Sequence, residues 1–207
     1  RYLSFRLIPT FWSCNSSSSS DYVDPYANVK ATFGTNIDLD NLANYANQSI
    51  PGYITKDNSA GNSITDKGAT LGRVLFYDKN LSSNNTISCA SCHIQANAFG
   101  DDTDASDGVN GTTTRHAMRL VNSRFSNERK FFWDERAATL ELQTSEPIKN
   151  HIEMGFSGTS GDGSITTLIS KLQAIGYYKE LFKYVYGSEE ITESKLQNAL
   201  AQFIRSI

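Results

Sequence analysis

Five residues, Cys89-Ala90-Ser91-Cys92-His93, restrict this chain more than any other stretch. Their spacing is C-x-x-C-H, the pattern that attaches a c-type haem. On a helix, positions i and i+3 share a face, so both thiols can reach the two vinyl groups along one haem edge. His93 follows at i+4 on that face, where a ring nitrogen can ligate the iron. A bare C-x-x-C also serves thioredoxin-like redox pairs and zinc half-sites. The immediate histidine, and the lack of a second C-x-x-C, favour haem over both.

Composition sets the outer bounds. The 207 residues are enough for one domain with a sizeable core, or a domain and a tail. A hydrophobic fraction of 39%, 20% charged residues and a net charge of -3 describe a soluble, mildly acidic globule. That balance lacks the basic surface nucleic acid requires. No apolar run reaches the roughly 18–20 residues of a membrane-spanning helix.

The haem motif leaves one cysteine, Cys14. It follows Arg1 to Ser13, an apolar stretch with two arginines, and precedes Asn15 and five serines. Residues 1–24 therefore read as a secretory signal remnant and a Ser-rich tether, and 25–207 as the haem domain. The location expected is periplasmic or otherwise exported. Cys14 could then carry a lipid anchor as the first mature residue, although in Phe11-Trp12-Ser13 only Ser13 suits a lipoprotein cleavage box. The alternative is a free cysteine in a disordered leader.

Along the chain, the spacing predicts a domain that is mainly α. Ile37 to Tyr45 is a candidate short helix within a loop-rich region, 21–64. Thr65 or Asp66 can cap a helix through Tyr77, with Leu71, Val74 and Leu75 on one face. Ala98 to Thr114 carries four aspartates, three glycines and four threonines with no apolar period, so it is a long loop. An acidic loop there could bind a cation; solvated surface is the plainer reading. Pro147 ends or redirects any helix near it. Three helices follow: Ile165-Leu168-Ile169-Leu172 capped by Ser164, Tyr178-Leu181-Phe182-Val185 stopped by Gly187, and Leu196-Leu200-Phe203-Ile204-Ile207 capped by Thr192. The last apolar stripe still runs at the final residue, the mark of a chain that continues.

A haem ligated on one side by His93 leaves its other face for a Met or His, giving an electron carrier, or for an acid–base group beside open iron, giving a catalyst. The histidines besides His93 are His116 and His151, and the methionines are Met118 and Met154. The plain reading of each Met is core filling, and of each His an ordinary hydrogen-bonded side chain. Cleaving a peroxide bond requires a base to move a proton between the two oxygens, and a carboxylate in a dry pocket serves. Glu153 is of that kind, as are Glu141 and Glu146. Oxidising equivalents must then leave the haem, and Trp133 is of the kind that shortens such an electron step between redox centres.

At this point the sequence resembles a known family, the bacterial dihaem cytochrome c peroxidases with the related enzymes that mature tryptophylquinone cofactors, and within it the N-terminal, peroxidatic haem half. The motifs run from Leu71-Gly-Arg-Val-Leu-Phe-Tyr-Asp78 through Ile87-Ser-Cys-Ala-Ser-Cys-His93, Ala98-Phe-Gly-Asp101 and Phe131-Phe-Trp-Asp-Glu-Arg-Ala137. They continue through Leu140-Glu-Leu-Gln143, Pro147-Ile148, Glu153-Met-Gly155 and Ala199-Leu-Ala-Gln-Phe203. The resemblance implies an all-α, cytochrome c-like fold with long loops. It assigns Cys89 and Cys92 to the thioethers of haem c, His93 to the proximal iron position, and Glu153 to acid–base work over the iron. Gln143 and Pro147 line the same distal pocket, and Trp133 lies between two haems.

The partners so implied are hydrogen peroxide and a small cytochrome c or copper protein as electron donor, with a homodimer as the candidate assembly. There are departures. Many members carry a loop histidine that caps the resting iron; residues 98–114 have none, and His116, the nearest, is a candidate distal ligand. His116 also stands where many members have an asparagine beside a calcium ion, which puts calcium in question. Trp133-Asp-Glu-Arg136 replaces the usual Trp-Asp-Gly-Arg, at a position expected to be exposed. A second C-x-x-C-H domain with its own haem c is expected beyond Ile207, which makes the chain a fragment. Peroxide reduction is the reading expected; oxidation of a protein residue by the dihaem enzyme, or electron transfer by a monohaem cytochrome, are the alternatives.

Overall fold

The structure, a computed structural model, describes residues 23–126 and 130–207. Residues 1–22, including Cys14 and most of the expected leader, lie outside it. Among the described residues seven α-helices carry the fold: α1 Ala27–Phe33, α2 Asp66–Tyr77, α3 Cys89–Cys92, α4 Leu140–Ser145, α5 Ile165–Gln173, α6 Gly176–Tyr186 and α7 Glu193–Arg205. None is long and apolar enough to cross a membrane.

The core is built where α2 crosses α7. Leu71, Val74, Leu75 and Phe76 face Leu196, Ala199, Leu200, Phe203 and Ile204, all buried. A fully buried side chain of this size contributes about 1.5–3 kcal/mol. The crossing is close because Gly72 lies on it: a Cβ there would stand 2.0 Å from the Ala199 carbonyl oxygen. Helix α6 closes the same core with Tyr178, Leu181 and Phe182.

The helix signals resolve as follows. Thr65 caps α2, its hydroxyl accepting from the Gly68 N–H at 3.0 Å. Asp66 is used elsewhere, accepting from the backbone of Tyr45 and Ala46 at 2.7 and 2.9 Å. Ser164 and Thr192 cap α5 and α7, and Gly187 ends α6 at φ +71°. The expected helix at 37–45 is absent. Ile37 and Leu39 are buried while the aspartates between face out, a period of two, and Asp38 accepts from the Asp40 N–H at 3.0 Å. The helix of this region is α1, upstream. Within the long acidic loop the chain forms a small hairpin, β1 Asp107–Gly108 paired antiparallel with β2 Gly111–Thr112.

Candidate functional site

The attachment motif is a single turn. Ser91 Oγ accepts from the Ser88 N–H at 3.0 Å at its start, and the His93 N–H donates to the Cys89 carbonyl at 2.9 Å at its end. The helical spacing thus puts Cys89, Cys92 and His93 on one cavity, a narrow space of about 60 Å³. It runs into a second of about 350 Å³, whose wall shares Cys92, His93, Thr113, Gln143, Pro147 and Glu153.

The two thiols are free and half-buried. Burial, with Cys92 beside it, pushes the Cys89 thiol up to about 12, and burial raises Cys92 as well. A nucleophilic dithiol works through thiolates, which burial disfavours here. Among the described residues no group of three or more His, Cys, Asp or Glu side chains could hold a metal ion.

His93 stands with Nδ1 3.1 Å from the Phe99 carbonyl oxygen. A carbonyl only accepts, so Nδ1 carries the proton in this contact, and the Met118 backbone is a second polar group facing the ring. Burial pushes the imidazole below its ordinary range, which keeps it neutral as a ligand must be. Two thiols and a neutral imidazole make a donor set that fits a c-type haem.

Three other expected residues line the same two cavities. Gln143 comes from α4, whose cap is Thr139, and Pro147 lies just past the end of that helix. Glu153 comes from the turn beyond. Among the described residues its carboxylate has no hydrogen-bond or ion-pair partner. Burial raises it above the ordinary value of 4.5, with the Arg136 charge pulling the other way. Glu141 is a different case. Burial would raise it, but Arg205 and Asn62 donate to it and hold it low, with the Arg205 guanidinium only 3% exposed. Glu146 is exposed. Geometry therefore separates three glutamates that composition leaves equal.

Trp133 lines the larger cavity and is 62% exposed, with Nε1 donating to the His116 carbonyl at 3.2 Å. His116 lines that cavity too, and its Nδ1 is bound to the Thr103 carbonyl at 2.8 Å. Glu135 is exposed as expected, and it holds φ +55°, a conformation glycine adopts without strain. Met154 fills core, and His151 pairs with Asp162 at 2.9 Å. Two participants escaped the sequence reading: the Phe99 carbonyl and the Arg136 charge. Both lie within motifs already singled out, but neither role has a local signature.

Size alone points elsewhere. A cleft of about 770 Å³ opens between α1, α2 and α7, lined by Phe33, Tyr45, Tyr77 and Phe203. It has no cysteine or histidine in its wall, and its acid, Asp78, is taken by the hydroxyls of Tyr177 and Tyr178 at 2.6 and 2.7 Å. The reactive side chains converge in the smaller spaces.

The family model described as di-haem cytochrome c peroxidase matches residues 66–207. The chain belongs to the di-haem cytochrome c peroxidase family. It is 33% identical over 147 residues to methylamine utilization protein MauG of Methylophilus methylotrophus, covering 70% of this chain and 41% of that protein. It is 37% identical over 139 residues to cytochrome c peroxidase Ccp of Escherichia coli K12, covering 66% and 28%. The crystal structure of a MauG-like protein associated with microbial copper homeostasis superposes with a TM-score of 0.67 at 32% identity, covering 77% of this chain and 46% of that one. The chain thus spans less than half the length of these relatives. The fold expectation, a mainly helical haem domain of this family, holds.

Proposed function

We propose that this chain is the peroxide-reducing haem domain of a di-haem peroxidase, with hydrogen peroxide as substrate and a small cytochrome c or copper protein as electron donor. The observation that carries the reading is the partnerless Glu153 carboxylate facing the cavity that holds Cys89, Cys92 and His93. Haem c, bound there, supplies the iron and the electrons for splitting the O–O bond. Cys89 and Cys92 would hold it through thioethers, and Nε2 of His93 would ligate its iron. Glu153 takes the proton from one peroxide oxygen and returns it to the other as that oxygen leaves as water. A carboxyl raised by burial is suited to both halves of that transfer.

Gln143 and Pro147 shape the pocket around the peroxide, and Trp133 carries electrons in from a second haem c elsewhere in the whole protein. His116 is the candidate resting ligand, through its free Nε2. Residues 1–24 are a leader and tether that direct export to the periplasm, with Cys14 as the candidate lipid anchor, and the active assembly is a homodimer.

Relatives named MauG match at 31 and 33% identity and relatives named cytochrome c peroxidase at 33 and 37%, so identity does not separate the two. Oxidation of a protein residue is therefore the second reading, and the second haem's ligands separate the two. The test of the first is Glu153→Gln in the whole haem-loaded protein. Haem content should be unchanged and peroxide turnover should fall by about 10²–10⁴-fold; near-normal turnover removes Glu153 from the mechanism.

A further inference from the structure

We propose that the β1–β2 hairpin is the element that aims Glu153, and that Gly108 is the positioning residue on which this depends. Among the described residues the Glu153 carboxylate makes no hydrogen bond or ion pair, so where it points depends chiefly on how the backbone that carries it is held. That backbone is held from the hairpin. Val109 donates its N–H to the Glu153 carbonyl at 3.0 Å, and Asn110 donates to the Ile152 carbonyl at 3.2 Å. The Asn110 side-chain amide takes the His151 carbonyl at 2.8 Å. Three consecutive carbonyls, 151 to 153, are thus fixed by two adjacent hairpin residues.

The approach is too close for any side chain at 108. A Cβ on Gly108 would stand 2.0 Å from the Ile152 carbonyl oxygen and 3.0 Å from the Glu153 Cα. Backbone on both sides leaves nothing flexible to give way.

The hairpin is itself anchored at its base. Ser106 and Thr113 exchange hydrogen bonds, 2.9 Å from the Ser106 N–H to Thr113 Oγ1 and 2.9 Å from the Thr113 N–H to the Ser106 carbonyl. Ser106 Oγ also donates to Asp101. Next to that base, the Asp107 carbonyl faces Cys92 Sγ at 3.9 Å. One short hairpin therefore spans from the attachment motif to the acid–base turn and sets one relative to the other. Most of the acidic loop is solvated surface, as expected, and its hairpin acts as a strut.

The test is an infrared titration of the Glu153 carboxyl in the haem-loaded whole protein, the band being assigned by its loss in Glu153→Gln. Gly108→Ala should move the midpoint by about one pH unit toward the ordinary carboxylate range. It should also lower kcat/KM for peroxide on the order of tenfold or more, as misplacement of a catalytic group does. Haem content should not change. Asn110→Ala, an exposed change that spares the backbone bonds, should move both in the same direction by less. An unchanged midpoint in folded Gly108→Ala overturns the proposal; if that variant does not fold, an unchanged midpoint in Asn110→Ala does so. The turnover arm rests on the acid–base reading of Glu153, but the infrared arm does not. Normal turnover in Glu153→Gln would end that reading and leave the hairpin's role to the band alone.

Discussion

The Phe99 carbonyl oxygen stands 3.1 Å from Nδ1 of His93, and it is delivered there by two successive left-handed residues, Ala98 at φ +54° and Phe99 at φ +56°. That conformation costs an L-residue roughly 1–2 kcal/mol, and glycine escapes most of it. Ala98→Gly should therefore raise stability by roughly 0.5–1 kcal/mol. Ala98→Val, β-branched where φ is positive, should lower it and turn the carbonyl away. Because that hydrogen bond sets the basicity of a ligating imidazole, the haem reduction potential should move in Ala98→Val and stay in Ala98→Gly. Denaturant melts and a redox titration check both; identical potentials in the two variants would count against any tuning by Phe99.

Glu153 should make the protein less stable at neutral pH than it could be. Its folded carboxyl is raised above 4.5 by burial. The stabilisation linked to it is complete below the unfolded value and lost as pH rises through the raised one. Glu153→Gln should accordingly be more stable than the parent at pH 7, and the advantage should vanish below about pH 4. Arg136→Met should deepen the effect by removing the opposing charge. Thermal melts across pH read this directly, and a variant equally stable at every pH would show that Glu153 is not desolvated.

Glu141 should behave with the opposite sign. Its folded carboxyl is held low by Arg205 and Asn62. Its contribution is therefore present above about 4.5 and is lost as pH falls through the lowered value. Arg205 is 3% exposed and also donates to Asn58 at 2.8 Å. Glu141→Ala strands a buried guanidinium and should cost about 3–5 kcal/mol at pH 7. The exposed pair Lys183–Glu189, at 3.3 Å, should contribute less than about 1 kcal/mol. A double-mutant cycle on each pair separates them.

What the sequence made legible was local. The three C-terminal helices repeat apolar residues at 3.6-residue spacing and carry their caps within one turn, so Ser164, Gly187 and Thr192 could be read directly. The C-x-x-C-H turn was legible for the same reason. Helix α1 was not, because Val29 is its one fully buried residue and a single anchor makes no stripe. The choice among glutamates was not, because Glu141 is neutralised by a residue 64 positions away. The hairpin was hidden too: its two-residue strands are shorter than any periodicity, and what fixes it is contact with residues 151–153.

The crossing of α2 on α7 gives the last prediction. Gly72→Ala places a Cβ 2.0 Å from the Ala199 carbonyl oxygen and 2.7 Å from the Phe203 Cβ. Neither atom is the end of a flexible side chain, so the helices must separate, at a cost of about 1–3 kcal/mol or more. Leu200 and Ile204, on the same α7, line the narrow haem cavity, so the displacement should also shift the haem absorption bands. Gly61→Ala is the control. Nothing lies within 4 Å of a Cβ there and its φ is not positive, so it should stabilise by about 0.4–1 kcal/mol through the unfolded chain and leave the spectrum alone. Urea midpoints of opposite sign in the two variants, with a spectral change in the first alone, are the expected result. A neutral Gly72→Ala would mean that the crossing is looser than its atoms indicate.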